Sequence, residues 1–75
     1  MVLAEVECGK DVRIISYQGG RGVSSKLRQL SLMPGDRLHV LKKAPLQGPI
    51  LVESNGRSVA LGRGVATKVL VEEIN

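Results

Sequence analysis

The side chains best equipped for chemistry are few and scattered. The chain carries one histidine, His39, and one cysteine, Cys8, and its acids concentrate towards the two ends, as in Glu5, Glu7, Glu72 and Glu73. A nucleophile needs an activating base beside it. One His and one Cys far apart in sequence do not supply that pair, so an enzyme is not expected. Metal binding would have to draw on Glu5, Glu7, Cys8 and His39. A closed zinc site takes four such ligands, usually in short paired spacings, and no such spacing occurs. A lone histidine on a strand is ordinarily a surface or satisfied residue, and Cys8 reads as a small hydrophobe. No metal site and no cofactor are expected. The run Gly19-Gly20-Arg21-Gly22-Val23-Ser24-Ser25-Lys26 precedes a helix, where phosphate is attracted. It lacks both the Gly-Lys-Ser/Thr of a P-loop and a full Gly-x-Gly-x-x-Gly, and reads as a strand-to-helix connection.

Binding is left as the chemistry the chain can do. Leu46 and Gln47 lie in Ala44-Pro45-Leu46-Gln47-Gly48-Pro49, a loop stiffened by two prolines, and stiff loops bind at lower entropic cost. The bland alternative is that Leu46 folds back over the end of the barrel. Lys26, Arg28, Lys42 and Lys43 are placed to steer an acidic partner, although any one of them alone is a plain solvated charge. Nucleic-acid binding is the competing reading for a small basic barrel. Single-strand binders stack bases on aromatic side chains. Here Tyr17 is the one aromatic, and Lys42-Lys43 is the one adjacent basic pair.

The elements that must position these residues follow from periodicity. Val23, Leu27 and Leu30 recur at helical spacing and predict a short amphipathic helix from about Val23 to Leu32, capped by Ser24 or Ser25, with Lys26 and Arg28 towards solvent. Pro34 bars its continuation and Pro34-Gly35 marks a turn. Leu3 and Val6 predict a short turn or loose strand that lays two side chains on the core. Strands are predicted at Val12–Tyr17, Asp36–Lys43, Ile50–Ser54, Arg57–Leu61 and Val69–Glu72. Val12 and Ile14 share one face, as do Leu38 and Val40, and Val59 and Leu61 point inward. Asn55-Gly56 is the strongest hairpin signal, since a type I′ turn needs positive φ at both central residues. Gly62–Thr67 reads as a turn or a single helical turn. One helix and about five short strands make a mainly β fold, a small barrel or half-barrel. A barrel would leave no exposed sheet edge.

Composition agrees. The 75 residues allow one domain, 1–75, and no more; with 43% hydrophobic and 24% charged residues they are globular in composition. The core must be aliphatic, because there is one Tyr and no Phe or Trp. The net charge of +4 is spread along the chain. The absence of a cysteine pair, of a secretory leader and of the roughly 20-residue apolar run of a membrane span leads to the expectation of a soluble, cytoplasmic protein without direct membrane insertion.

The chain resembles the FeoA family, small proteins of ferrous iron uptake. The matching residues are Leu3…Val6…Gly9, Val12-x-Ile14 and the block Leu27-x-x-Leu30-Ser31-Leu32-x-Pro34-Gly35. Further on they are Lys43-Ala44-Pro45-Leu46-x-Gly48-Pro49-Ile50, Gly56…Val59-Ala60-Leu61-x-Arg63, Ala66 and Val69-x-Val71. Two features depart from the family. Ser31 stands where a helix-ending glycine is usual, and the helix carries fewer basic residues than many members do. The resemblance implies an SH3-like barrel with one inserted helix. It implies a binding module whose partner is the FeoB-type ferrous iron transporter, contacted at its GTPase domain. The alternatives are a nucleic-acid-binding barrel, or a metal-responsive domain related to the C-terminal domain of DtxR-type repressors. SH3 domains proper grip proline-rich peptides with aromatic grooves, and a chain with one aromatic does not inherit that ligand. Self-association through a strand edge is left open.

Overall fold

Alternation of apolar residues sets the sheet. The computed structural model describes residues 1–74. After a 3₁₀ turn at Leu3–Glu5 come β1 (Asp11–Tyr17), α1 (Gly20–Gln29), β2 (Arg37–Lys43), β3 (Ile50–Ser54), β4 (Arg57–Leu61), α2 (Arg63–Ala66) and β5 (Val69–Glu73). The strands form one antiparallel sheet in the order β4-β3-β2-β1-β5. Its inner face supplies Val12, Ile14, Leu38, Val40, Ile50, Val52, Val59, Leu61, Val69 and Val71 to a single aliphatic core, closed by Leu3 and Val6 at one side and by Leu27 and Leu32 at another. The inward residues expected on three of the strands are thus buried, and Leu3 and Val6 both reach the core from a turn. The Asn55-Gly56 hairpin has the expected positive φ at both residues, 53° and 79°.

The mainly β fold with one principal helix is the expected one; three details of it differ. First, the sheet has ends: β4 and β5 do not pair with each other among the described residues. The outer side of β5 is partly covered by the N-terminal segment, through Val71 N–H donating to the Met1 carbonyl (2.8 Å) and a bridge between Val2 and Leu70.

Second, α1 begins three residues before the predicted start and ends three before the predicted end, and neither Ser24 nor Ser25 caps it. The chain reverses at Gly19 and Gly20, whose φ values of +95° and +71° suit glycine alone. A Cβ at Gly19 would stand 2.7 Å from Val23 Cγ2. Two adjacent glycines thus let the helix start at once, with no side-chain cap. At the other end Ser31 takes the left-handed conformation, φ 59°. Leu32 N–H donates to the Leu27 carbonyl (2.9 Å) and Ser31 N–H to that of Arg28 (3.0 Å). This is a Schellman ending, with Leu27 and Leu32 in the expected apolar positions. A serine at positive φ is strained. Ser31→Gly is therefore expected to stabilise the domain by up to about 1 kcal/mol, several degrees in Tm for a chain this size; thermal unfolding checks it.

Third, alternation breaks twice. β1 and β2 each carry a bulge, at Ile15 and at Leu41, where the register slips by one residue. Ile15 and Leu41 are left exposed, and every residue after them changes face. Tyr17 consequently pairs with Val69 and packs on the core. Its hydroxyl donates to the Leu32 carbonyl at 2.6 Å, tying β1 to the end of α1.

Burial raises the Tyr17 phenol above its ordinary value of 10.0, the Asp36 carboxylate adds to that, and Arg28 pulls it back. The folded state thus holds this proton more tightly than the unfolded one. Its contribution to stability is complete below the unfolded value of 10.0 and is lost as pH rises through the higher folded value. Tyr17→Phe is expected to lose about 1 kcal/mol at neutral pH with the hydrogen bond, and to flatten the alkaline limb of a stability-against-pH curve.

Candidate docking surface

A prolyl loop between two strands need not be special, but this one holds two residues in a conformation they avoid. Leu46 and Gln47 have φ of 58° and 62°. They are the central pair of a turn in which Gly48 N–H donates to the Pro45 carbonyl (3.1 Å). Positive φ at both central positions belongs to Asn and Gly. For other L-residues it costs roughly 1–2 kcal/mol each, and such strain persists where surrounding structure over-determines it. Here that structure is visible. Ala44 N–H donates to the Pro49 carbonyl at 3.0 Å. The Arg63 guanidinium donates to both ends of the loop, through Nε to the Gly48 carbonyl (3.1 Å) and Nη2 to the Ala44 carbonyl (3.0 Å). Gly48 is obligatory: a Cβ there would meet Ala44 Cβ at 2.8 Å and the Pro45 carbonyl oxygen at 3.1 Å. The result is a leucine 98% exposed on a strained, cross-braced tip. Leu46 does not fold back over the barrel end.

Beside the tip lies an open groove of about 280 Å³ lined by Lys42, Ala44, Pro49, Leu51 and Ala60. Its floor is one cross-strand row, Lys42–Leu51–Ala60, on the outer face of β2, β3 and β4. The Leu41 bulge creates this row. Without it, Lys42 would follow Leu38 and Val40 inward. Lys43 instead pairs with Ile50; it is half-buried and donates from Nζ to the Ala4 carbonyl at 2.8 Å. Of the two lysines, Lys42 is the one on the surface.

Lys26 and Arg28 are exposed on α1, whose ten residues include no acid. A shallow cleft of about 350 Å³ runs past Ser25, Arg28 and Gln29. This flank does not join the loop. The end of α1 is anchored by Arg57, which donates to the Leu30 carbonyl beside the Asn55-Gly56 turn, whereas the loop enters β3 at its other end, Ile50. Five strand residues, roughly 13 Å, separate them. The predicted contact residues therefore form two groups. Leu46, Gln47 and Lys42 lie around the loop, with Lys43 tucked beneath it, and Lys26 and Arg28 lie on the helix.

The remaining candidates stand apart from both. Glu7 and Cys8 are exposed. His39 Nδ1 is 3.0 Å from an oxygen of Asp11. With Lys10–Glu73 (3.9 Å) and Arg13–Glu72 (4.0 Å), that pair forms a set of surface contacts among β1, β2, β5 and the residue before β1. Among the described residues, no three His, Cys, Asp or Glu side chains come together as a metal site. Nor, among the described residues, is any helix long and apolar enough to cross a membrane. Sequence reasoning found the loop and missed its brace, since nothing in the pattern of residues says that Arg63 reaches back to Ala44 and Gly48.

Comparison with known proteins gives the family. The FeoA domain family matches residues 1–73. The Fe(2+) transport protein A of Methanocaldococcus jannaschii is 30% identical over 71 residues, which span 95% of this chain and 84% of that protein. The crystal structure of an iron uptake regulatory protein, FeoA, superposes with a TM-score of 0.90 at 31% identity, covering 99% of this chain and 97% of that one. FeoA of Stenotrophomonas maltophilia, solved with zinc and described as a procaryotic SH3 domain protein, matches at TM-score 0.79 and 25% identity, over 96% and 89% of the two chains. A manganese-dependent transcriptional repressor shares the fold over 36% of its own length and 99% of this chain, with a TM-score of 0.91 at 20% identity; a likeness this distant speaks for architecture alone. With an SH3-like sheet, one inserted helix and a family match along nearly its whole length, this chain belongs to the FeoA family, the small accessory proteins of ferrous iron transport.

Proposed function

We propose that this protein acts in the cytoplasm by docking on the GTPase domain of a FeoB-type ferrous iron transporter, through the 44–49 loop, and so modulates uptake. The observation that carries the reading is Leu46: a large apolar side chain, 98% exposed, on a turn already held in its strained shape. Interfaces concentrate their energy in a few central, fully desolvated anchors ringed by near-neutral contacts. A loop ordered before it binds gives up little further entropy. Leu46 is the anchor, the Ala44–Pro49–Leu51–Ala60 groove takes an apolar side chain in return, and Lys42 supplies the polar rim. Lys26 and Arg28 act at longer range, steering an acidic partner surface rather than sharing the contact. Modulation follows if the loop binds one nucleotide state of the transporter better than the other, since a ligand shifts an equilibrium only by its differential affinity.

The test is an NMR titration of ¹⁵N-labelled protein with the isolated GTPase domain, first with GDP and then with a GTP analogue. Shifts confined to Lys42, Leu46–Leu51 and Ala60, and different between nucleotides, are expected. No perturbation at high partner concentration removes the GTPase contact. Binding to nucleic acid instead would show a steep salt dependence. The single tyrosine offers little to such a ligand, because its ring packs on the core and its hydroxyl is engaged by Leu32.

A further inference from the structure

We propose that Arg63 is the positioning residue of the docking loop: it sets the shape of residues 44–48 before any partner arrives. The proposal rests on the reading above for its consequence in binding, but not for its own test. Arg63 opens α2, half-buried, and forms no ion pair with any acid among the described residues. Its guanidinium is instead turned on backbone, with Nε–H to the Gly48 carbonyl at 3.1 Å and Nη2–H to the Ala44 carbonyl at 3.0 Å. Those two carbonyls bracket the strained pair Leu46-Gln47. A charged donor makes a stronger hydrogen bond than a neutral one, and a planar guanidinium fixes two acceptors relative to each other, which a lysine ammonium does not. The brace is continued below the loop, where Lys43 reaches the Ala4 carbonyl at 2.8 Å. Two cations that formal charge counting assigns to the surface thus serve as struts for backbone oxygens. The positive φ values at Leu46 and Gln47 are what this bracing maintains. Without it, the loop is free to relax towards conformations in which Leu46 no longer stands upright.

The experiment compares wild type with Arg63→Gln, Arg63→Lys and Gly48→Ala by ¹⁵N relaxation and by affinity for the GTPase domain. In Arg63→Gln the order parameters of Leu46 and Gln47 are expected to fall from rigid values near 0.85 to below about 0.6, with the resonances of the five strands unmoved. Kd should rise about tenfold. Arg63→Lys, with one donor point instead of a fork, should fall between. Gly48→Ala keeps Arg63 but inserts a Cβ 2.8 Å from that of Ala44, and should loosen the same residues from the other side. Unchanged order at Leu46 and Gln47 in Arg63→Gln overturns the proposal. Should that variant not fold, the lysine variant decides, because it keeps the charge and the stem, and a rigid loop there is equally fatal. A mobile loop with unchanged Kd, while Leu46→Asp still loses binding, also overturns it. If Leu46→Asp binds as wild type does, the docking reading falls, and the relaxation data still decide the role of Arg63.

Discussion

Replacing Leu27 with alanine is expected to remove a large part of this domain's stability. Leu27 is fully buried and is the one α1 residue wholly inside the core. It also carries the carbonyl that ends the helix by accepting from Leu32 N–H. Truncating a buried leucine costs about 2.7–5 kcal/mol, from lost transfer energy and the cavity left behind. A 75-residue domain has roughly 4–11 kcal/mol in total. The loss thus takes about a quarter of the stability at the least and all of it at the most, and there is no disulfide to limit the damage. Urea and thermal unfolding of Leu27→Ala beside the exposed neighbour Lys26→Ala, which should change by less than about 0.5 kcal/mol, give the comparison. A loss below 1 kcal/mol at Leu27 would mean that α1 does not pack as described.

Leu46→Asp is expected to raise the Kd for the transporter's GTPase domain by at least about 30-fold, the equivalent of a 2 kcal/mol hot spot, while leaving Tm almost where it was. The two parts are independent. A side chain 98% exposed contributes almost nothing to the core, so stability has little to lose. An anchor inserted into a partner has everything to lose, because the aspartate brings an unpaired charge into an apolar contact. Leu46→Gly separates the terms further. Glycine accepts φ near 58° without strain, so this variant should be more stable than wild type and bind worse. Titration calorimetry beside thermal unfolding reads both. A weaker-binding Leu46→Gly that is also less stable would show that the turn is not strained in the sense described.

Much of the frame was legible because it depends on local chemistry. Val12/Ile14, Leu38/Val40 and Val59/Leu61 alternate with the period of a strand, and Asn55-Gly56 names its own turn type. Leu27 and Leu30 declare a helix; that Ser31 stands where a helix-ending glycine is usual came from the resemblance to the family and not from the local pattern. The boundaries of α1 were not legible, since two glycines that usually spell a loop here supply the backbone reversal from which the helix starts. The bulges at Ile15 and Leu41 were invisible, because a slip of register is decided by pairing between strands and not by the residues that slip. The 44–49 loop was half legible. Its two prolines and the leucine between them could be read, but whether Leu46 faces out or folds back was open. Leu46-Gln47 is a poor sequence for the turn it adopts, and the brace on that turn comes from Arg63, a residue on a different element. Grouping Lys26 and Arg28 with the loop followed from charge alone; the fold sets them at the far end of β3.

The bulge at Leu41 has a consequence for how this protein tolerates change in the length of its chain. Leu41 is the supernumerary residue, since Val40 pairs with Val52 and Lys42 with Leu51 on either side of it. Losing that one codon would remove the bulge, restore plain alternation, and leave Lys42 facing out and Lys43 facing in. The same loss inside β3, whose pairing with β4 runs without a slip from Ile50 to Ser54, has no spare residue to absorb it and would turn part of the strand's side chains to the wrong face. The sheet thus tolerates a three-nucleotide deletion at the bulge far better than one in β3, and the row Lys42–Leu51–Ala60 survives it.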